Sequence, residues 1–387
     1  MSTDRRSFIK HGLAAPFGAA LLGKTAAAAA QQRPSAAPAS TAQDRPRAPA
    51  KVPYKRIATE EAWASREIFE EYRKLLASGP VDPGFEAQWG SLRGGIEGSR
   101  IAGKLIELGE PRIADMDAAG IDMQILSLTA PGVQVFDPQT ATRLAALSND
   151  QLVEAIRKYP TRYAGLAAVA PQDPSGAAKE IERAMTRLGL KGVIINSHTQ
   201  GEYLDDQKFW ELFEAAEAFN APIYLHPQTP GPGMLQPYLS RGFERAILGF
   251  AHEVAFHTLA IIEAGVFDRF PRLRLVIGHG GEGLPYMLYR IDYMHRRGPR
   301  TRPQFAKRLP SEYMRENIYI TTSGLAWAPA ITMAQSVLGV DRVLYAMDYP
   351  YQYDIEEVTL TDEFPISLED KTKLFQTNAE QVFALKS

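Results

Sequence analysis

Eight short apolar runs separated by amphipathic segments predict an α/β chain closed into one (β/α)8 barrel, a TIM barrel with an insertion after strand one. Three observations carry the prediction. The runs fall at 56–62, 123–129, 163–170, 192–197, 222–227, 273–279, 318–323 and 342–347. Most are nearly continuous in Ile, Val, Leu, Ala or Tyr, as strands buried on both faces must be. Between them lie helical patterns such as GAAKEIERAMTRL at 176–188 and FWELFEAAEAF at 209–219. Finally, the first run leads into Glu60-Glu61-Ala62-Trp63, where an open doubly wound sheet would present a glycine-rich phosphate loop.

The elements follow in chain order. Asp4-Arg5-Arg6-Ser7-Phe8-Ile9-Lys10 is similar to a twin-arginine export motif, and an apolar stretch at 12–23 and an alanine run ending at Ala30 follow it. Residues 1–30 are therefore expected to be a signal peptide directing the protein to the periplasm or beyond; a basic disordered tail is the plainer alternative. Residues 31–50, rich in Gln, Pro, Ala and Ser, read as a flexible linker, and 51–387 as the barrel domain. The stretch 64–112 is too long for a simple strand-to-helix connection and reads as a partly helical insertion over the barrel mouth. A second excursion, 295–310, is strongly basic and suits a lid or a subunit contact; a homo-oligomer, dimer or tetramer, is expected. Nothing downstream of the signal is apolar enough to span a membrane.

Composition narrows the chemistry. With 387 residues, 45% apolar and 23% charged, the chain can build one large core, and a net charge of −2 argues against nucleic acid as a partner. The absence of cysteine excludes disulfides, thiolate metal sites and cysteine nucleophiles.

Function in a parallel barrel collects at the C-terminal ends of the strands. Those ends hold Glu60-Glu61, His226-Pro227, His279-Gly280-Gly281-Glu282 and Asp348-Tyr349-Pro350. Each has a bland reading: a satisfied structural histidine, an aspartate capping a turn, a glutamate paired with Arg56 or Arg290. Together, however, they place four ionisable side chains on one rim, where unpaired charge is costly and a bound divalent cation removes the cost. Carboxylates and imidazoles without thiolates suit Mn2+ or Mg2+ at least as well as Zn2+. Glu253 and His257 share a helix face at i, i+4 and read as a structural pair. His252 is placed at the surface or pocket edge, His198 and Trp63 in pocket walls, and Tyr351 and Tyr353 beside the substrate slot.

At these residues the chain resembles the amidohydrolase superfamily, in its decarboxylase branch, nearest to the 5-carboxyvanillate decarboxylases. The matching stretches run from Arg56 to Phe383: RIATEEAWASREI (56–68), RIADMDAAGID (112–122), VAPQDP (169–174), NSHTQGEYLD (196–205), FDRFPRLRLVIGHGGEGLPYMLYRIDYMH (267–295), RVLYAMDYPYQY (342–353) and FQTNAE (375–380). The resemblance implies an amidohydrolase-like barrel with one divalent ion, Mn2+ favoured over Zn2+ or Mg2+, on Glu60, His226 and Asp348. Many members of the superfamily have a metal-binding histidine where this chain has Ala62, and binuclear hydrolases have a bridging lysine where it has Asn196-Ser197-His198. Both departures point away from a binuclear hydrolase.

The implied reaction is non-oxidative decarboxylation of a hydroxylated aromatic acid. Direct loss of CO2 would leave an unstable aryl carbanion, whereas protonating the ring carbon first breaks aromaticity and lets C–C cleavage restore it. A metal chelating phenolate and carboxylate oxygens would orient the substrate and stabilise charge. The resemblance assigns proton delivery to Asp348, orientation of that acid or of a substrate oxygen to His279, and carboxylate binding to Arg290. For Arg290 a structural pair with Asp292 is an equal reading. A metal-dependent lactone or amide hydrolase and an exported aromatic-acid binding protein remain as alternatives.

Overall fold

The computed structural model describes residues 49–297 and 306–385. The proposed signal at 1–30, nearly all of the 31–50 linker, and the middle of the basic 295–310 segment lie outside these residues. Nine short strands are arranged as a parallel barrel: β1 (Ile57–Trp63), β2 (Met123–Leu128), β3 (Tyr163–Gly165), β4 (Ala167–Ala168), β5 (Val193–Asn196), β6 (Ile223–His226), β7 (Leu275–Ile277), β8 (Ile318–Thr321) and β9 (Val343–Leu344). Neighbours in chain order pair in parallel from β1 to β3 and from β4 to β9.

Two junctions complete the ring. Leu166 donates its N–H to Leu126 on β2, and Ala167 donates to Gly192 just before β5, so β3 and β4 are one strand that changes partner at Leu166. At the other junction Thr59 donates to the Tyr345 carbonyl (3.0 Å) and Ala62 to that of Tyr349 (2.7 Å), joining β1 to the chain after β9. The eight runs read from the sequence are thus the eight staves of a closed barrel. Their side chains are buried almost throughout, as expected of strands enclosed by helices.

The 64–112 insertion folds as α1 (Arg66–Ala77), α2 (Pro83–Trp89), a short 3-10 turn, and α3 (Arg100–Ile106), leading into α4 (Glu110–Ala119). Ser65 caps α1 by accepting from the Ile68 N–H, and Ile68, Phe69, Tyr72 and Leu76 form its buried stripe. Tyr72, Phe85, Trp89 and Phe136 pack ring against ring. Tyr72 donates to the Gly132 carbonyl (2.7 Å) and Trp89 Nε1 to that of Ala130 (2.9 Å), which ties the insertion to the loop after β2. Gly84 of α2 lies so close to the loop after β6 that a Cβ there would stand 2.1 Å from Thr229 Oγ1. The insertion therefore roofs the C-terminal rim between β2 and β6.

Candidate active site

Alternation along β1 turns Glu60 into the barrel and Glu61 out towards the helices. Glu60 is buried, and its Oε2 accepts hydrogen bonds from Tyr224 Oη and from Thr321 Oγ1 (2.8 Å). Its Oε1 is buried with no hydrogen-bond partner. Two imidazole nitrogens face that oxygen: His226 Nε2 at 3.4 Å and His279 Nε2 at 3.6 Å. His226 donates from Nδ1 to the Pro227 carbonyl (2.7 Å), and His279 from Nδ1 to Glu282 Oε1 (2.7 Å). Both rings thus direct Nε2 at Glu60, the arrangement that outer hydrogen bonds give metal-binding imidazoles.

Donors about 2.1 Å from a shared ion stand roughly 3.0–3.4 Å apart. The observed separations are close to that range, and the orphaned oxygen lies between them. Among the described residues no three or more such side chains are already drawn into a ready-made cage. The donor set nevertheless fits a hard or borderline divalent cation: a buried carboxylate with a free oxygen, the neutral imidazole of His226, and Asp348 half-buried beside them. Gly278 makes room for it, since a Cβ there would stand 2.8 Å from both Glu60 oxygens.

The two imidazoles differ in charge. Burial holds the His226 imidazole down to about 4, leaving it neutral with a lone pair to offer. Burial also opposes the charge on His279, but Glu282, Glu60 and Asp348 together outweigh it and hold that ring well above the usual histidine range. Burial raises the Asp348 carboxyl well above the carboxylate range, and Glu60 and Glu61 push the same way against His279. Glu60 is held below its ordinary value: burial is overcome by His279, His226, Tyr224 and Thr321.

Three strand ends have left-handed backbone at residues other than glycine: Ser197 after β5 (φ 46°), His279 after β7 (φ 49°) and Asp348 after β9 (φ 67°). Each such residue costs about 1–3 kcal/mol, and such strain gathers where side chains must be aimed.

The structure brings Glu60, His226, His279 and Asp348 to one rim. Arg290 is exposed on the helix Leu284–Arg297 and makes no hydrogen bond or ion pair with any described residue. Arg290 and Asp292 form no ion pair either; Asp292 accepts from the Ser311 N–H. Glu253 and His257 are fully buried in a network with Ser197, and His252 is bonded to Tyr238 at the surface. His198 is buried, bridges the Thr229 carbonyl and the Gly201 N–H, and lines a cavity of about 240 Å3 beneath the insertion. Trp63 is buried with Nε1 unpartnered. Tyr351 shares a hydrogen bond with Thr129 (2.5 Å) and, with Arg100, Lys104 and Tyr353, lines a second cavity of about 320 Å3. Tyr353 gives its hydroxyl to the Asp115 carbonyl (2.8 Å).

Sequence reasoning missed Tyr224, Thr321 and Gly278. Tyr224 precedes His226 by two on one strand and so shares its face, a signal that was available.

The amidohydrolase family model matches residues 102–385. The chain is 35% identical over 343 residues to a gamma-resorcylate decarboxylase of Polaromonas sp. (strain JS666), covering 85% of this chain and 98% of that protein. Its fold is similar to a crystal structure of 5-carboxyvanillate decarboxylase from Novosphingobium aromaticivorans with bound manganese and 3-methoxy-4-hydroxy-5-nitrobenzoic acid. That similarity has a TM-score of 0.83 at 46% identity, over 86% of this chain and 98% of that one. A 2,6-dihydroxybenzoate decarboxylase from Rhizobium is also similar, with TM-score 0.74 and 32% identity over 86% and 99% of the two chains.

Proposed function

This chain belongs to the amidohydrolase family, on its decarboxylase branch, and we propose that it removes CO2 from a hydroxylated aromatic acid of the 5-carboxyvanillate kind. The observation that carries this reading is the buried, partnerless Oε1 of Glu60 facing the Nε2 atoms of His226 and His279. Glu60, His226 and Asp348 are the proposed ligands of one divalent ion, Mn2+ favoured. When bound, that ion supplies a Lewis acid and a template for the phenolate and carboxylate oxygens of the substrate.

The residues of the chain do the proton work. The Asp348 carboxyl, which burial and the neighbouring Glu60 and Glu61 push well above the usual carboxylate range, is the proposed donor of a proton to the ring carbon that bears the carboxylate. A C–H bond forms there, the C–C bond to the carboxylate then breaks, and its electron pair returns to the ring as CO2 departs. The half-buried Asp348 is open enough to be reprotonated from solvent. His279, its ring fixed by Glu282, presents Nε2 to orient the acid or a substrate oxygen. The hydrolytic alternative gains no support, since the relatives described above are all decarboxylases.

Release of CO2 across a panel of hydroxybenzoates including 5-carboxyvanillate, with metal content measured on the same sample, tests the proposal. Metal-replete protein that releases none would overturn it.

A homo-oligomer, dimer or tetramer, is proposed as well. Tyr286 (82% exposed), Tyr289 (86% exposed), Tyr293 and Met294 leave the helix Leu284–Arg297 with an uncovered apolar face. Light scattering on the purified protein reads the mass. Among the described residues no helix is long and apolar enough to cross a membrane. Export by the twin-arginine route is proposed on the motif at 4–10, the apolar stretch at 12–23 and the alanine run ending at Ala30, and the mature N-terminus in a periplasmic fraction checks it.

A further inference from the structure

We infer that Glu61 is a positioning residue: its buried carboxylate clamps the backbone on both sides of Asp348 and so aims the acid. The inference rests on the decarboxylase reading for what the acid does, and on geometry for how it is held.

Glu61 is completely buried on the outer face of β1. Its Oε1 accepts the N–H of Met347 (2.9 Å) and its Oε2 that of Tyr349 (3.1 Å), the two residues flanking Asp348. One carboxylate thus takes both peptide N–H groups around a residue whose φ is 67°. For a residue other than glycine that conformation is disfavoured by about tenfold, so it persists only where something holds it. Among the described residues the Asp348 carboxylate itself makes no hydrogen bond, which leaves the direction of its side chain to the backbone beneath it.

The clamp is itself held. Gln124 on β2 lies with Nε2 3.4 Å from Glu61 Oε2 and accepts from Arg112 Nε at 2.7 Å. Arg112, fully buried on α4, donates to the Ala62 carbonyl (2.9 Å) and lies 4.5 Å from the centre of the Tyr349 ring. The Ala62 N–H returns to the Tyr349 carbonyl (2.7 Å). Strand, helix and the Asp348 turn are therefore closed into one polar ring. Simple packing does not require this, since hydrophobic side chains fill such a layer as well or better than buried charges. What the ring adds is direction: it fixes the turn 347–349, in which Met347 and Tyr349 are buried and Asp348 is not.

Glu61→Gln in the full chain tests the inference. A glutamine keeps the shape but has one acceptor oxygen, so one of the two flanking amides loses its partner. Burial pushes the Glu61 carboxyl up to about 8, so hydrogen exchange in peptides spanning 343–353 is expected to accelerate about threefold to tenfold, the range for losing an ordinary hydrogen bond. Exchange in peptides spanning 222–228 on β6 should not change. In Mn2+-loaded protein kcat should fall at least about tenfold, with KM unchanged. Should Glu61→Gln not fold, Gln124→Met, which frees the carboxylate from its side tether, should give the same pattern at smaller amplitude. Unchanged exchange at 343–353 overturns the inference, and so does acceleration spread over the whole barrel, which would mark Glu61 as merely structural. A wild type that decarboxylates nothing in the panel defeats the decarboxylase reading instead, and the exchange data still decide the clamp.

Discussion

Replacing His257 with glutamine should flatten the acid side of the stability curve. His257 is fully buried on the helix Gly249–Glu263. Its Nε2 accepts the Leu204 N–H (2.9 Å), so the ring proton sits on Nδ1 and points at Ser197 Oγ (3.0 Å). Ser197 passes its own proton to Glu253 Oε1 (2.8 Å), and Glu253 Oε2 takes the Tyr203 hydroxyl (3.2 Å) and the Gly231 N–H (3.1 Å). A second proton on the imidazole would displace the Leu204 bond and bury a charge. Burial therefore lowers His257 to about 3, with His198 nearby acting the same way. In the unfolded chain the same ring titrates near 6.5. Below that pH the unfolded state takes up a proton that the folded state refuses, so stability is complete above about 6.5 and lost progressively down to about 3. Between pH 7 and pH 5 this one group removes about 2 kcal/mol. At roughly 0.7 kcal/mol per kelvin of unfolding entropy for a domain of this length, Tm should fall by about 3 °C from this source.

Thermal unfolding of wild type and His257→Gln at both pH values isolates the effect, because carboxylates contribute equally to each and the intrinsic cost of the substitution cancels in the pH difference. The wild type should lose about 3 °C more than the variant. Equal losses would mean that His257 is protonated in the folded protein and that the proton relay through Ser197 has been misread.

Three further outcomes are expected. Asp348→Asn should lower decarboxylation by about a hundredfold to ten-thousandfold without changing the melting temperature appreciably, and near-normal turnover would remove Asp348 from the acid role. Gly278→Ala should sharply reduce bound metal, because its Cβ would stand 2.8 Å from both oxygens of Glu60; undiminished metal content by mass spectrometry would refute the close approach. Chelator-treated protein should be inactive and recover with one equivalent of Mn2+, and a requirement for two would rule out a mononuclear site.

The barrel was legible because its strands are buried on both faces and so read as apolar runs. The last run was legible only in part: 342–347 reads as a strand, yet only Val343–Leu344 pairs as one. Beyond Leu344 the backbone finds other partners. Tyr345 donates to the Leu374 carbonyl, Ala346 to Thr322 Oγ1, and Met347 and Tyr349 to Glu61. Side-chain acceptors from elsewhere in the chain leave no periodicity to read. Glu60 and Glu61 posed the same difficulty, because two adjacent glutamates look like two candidate ligands until alternation along β1 assigns them opposite faces. Arg112 gave no sign of burial within its charged helix, and the spacing from His279 to Arg290 said nothing about which way the helix faces.

The strained strand ends explain why so many glutamates stand at this rim. Ser197 gives its hydroxyl to Glu253, His279 gives Nδ1–H to Glu282, and the amides around Asp348 go to Glu61. Each of these three left-handed strand ends is thus matched by a buried carboxylate that holds it, as strained backbone requires of its surroundings. Glu60 holds no such turn. Among these four glutamates it alone has a buried oxygen without a partner, and two imidazole nitrogens converge on that oxygen. Three of the carboxylates have their work within the protein; the fourth is complete only with a cation, and that difference separates the proposed ligand from its neighbours.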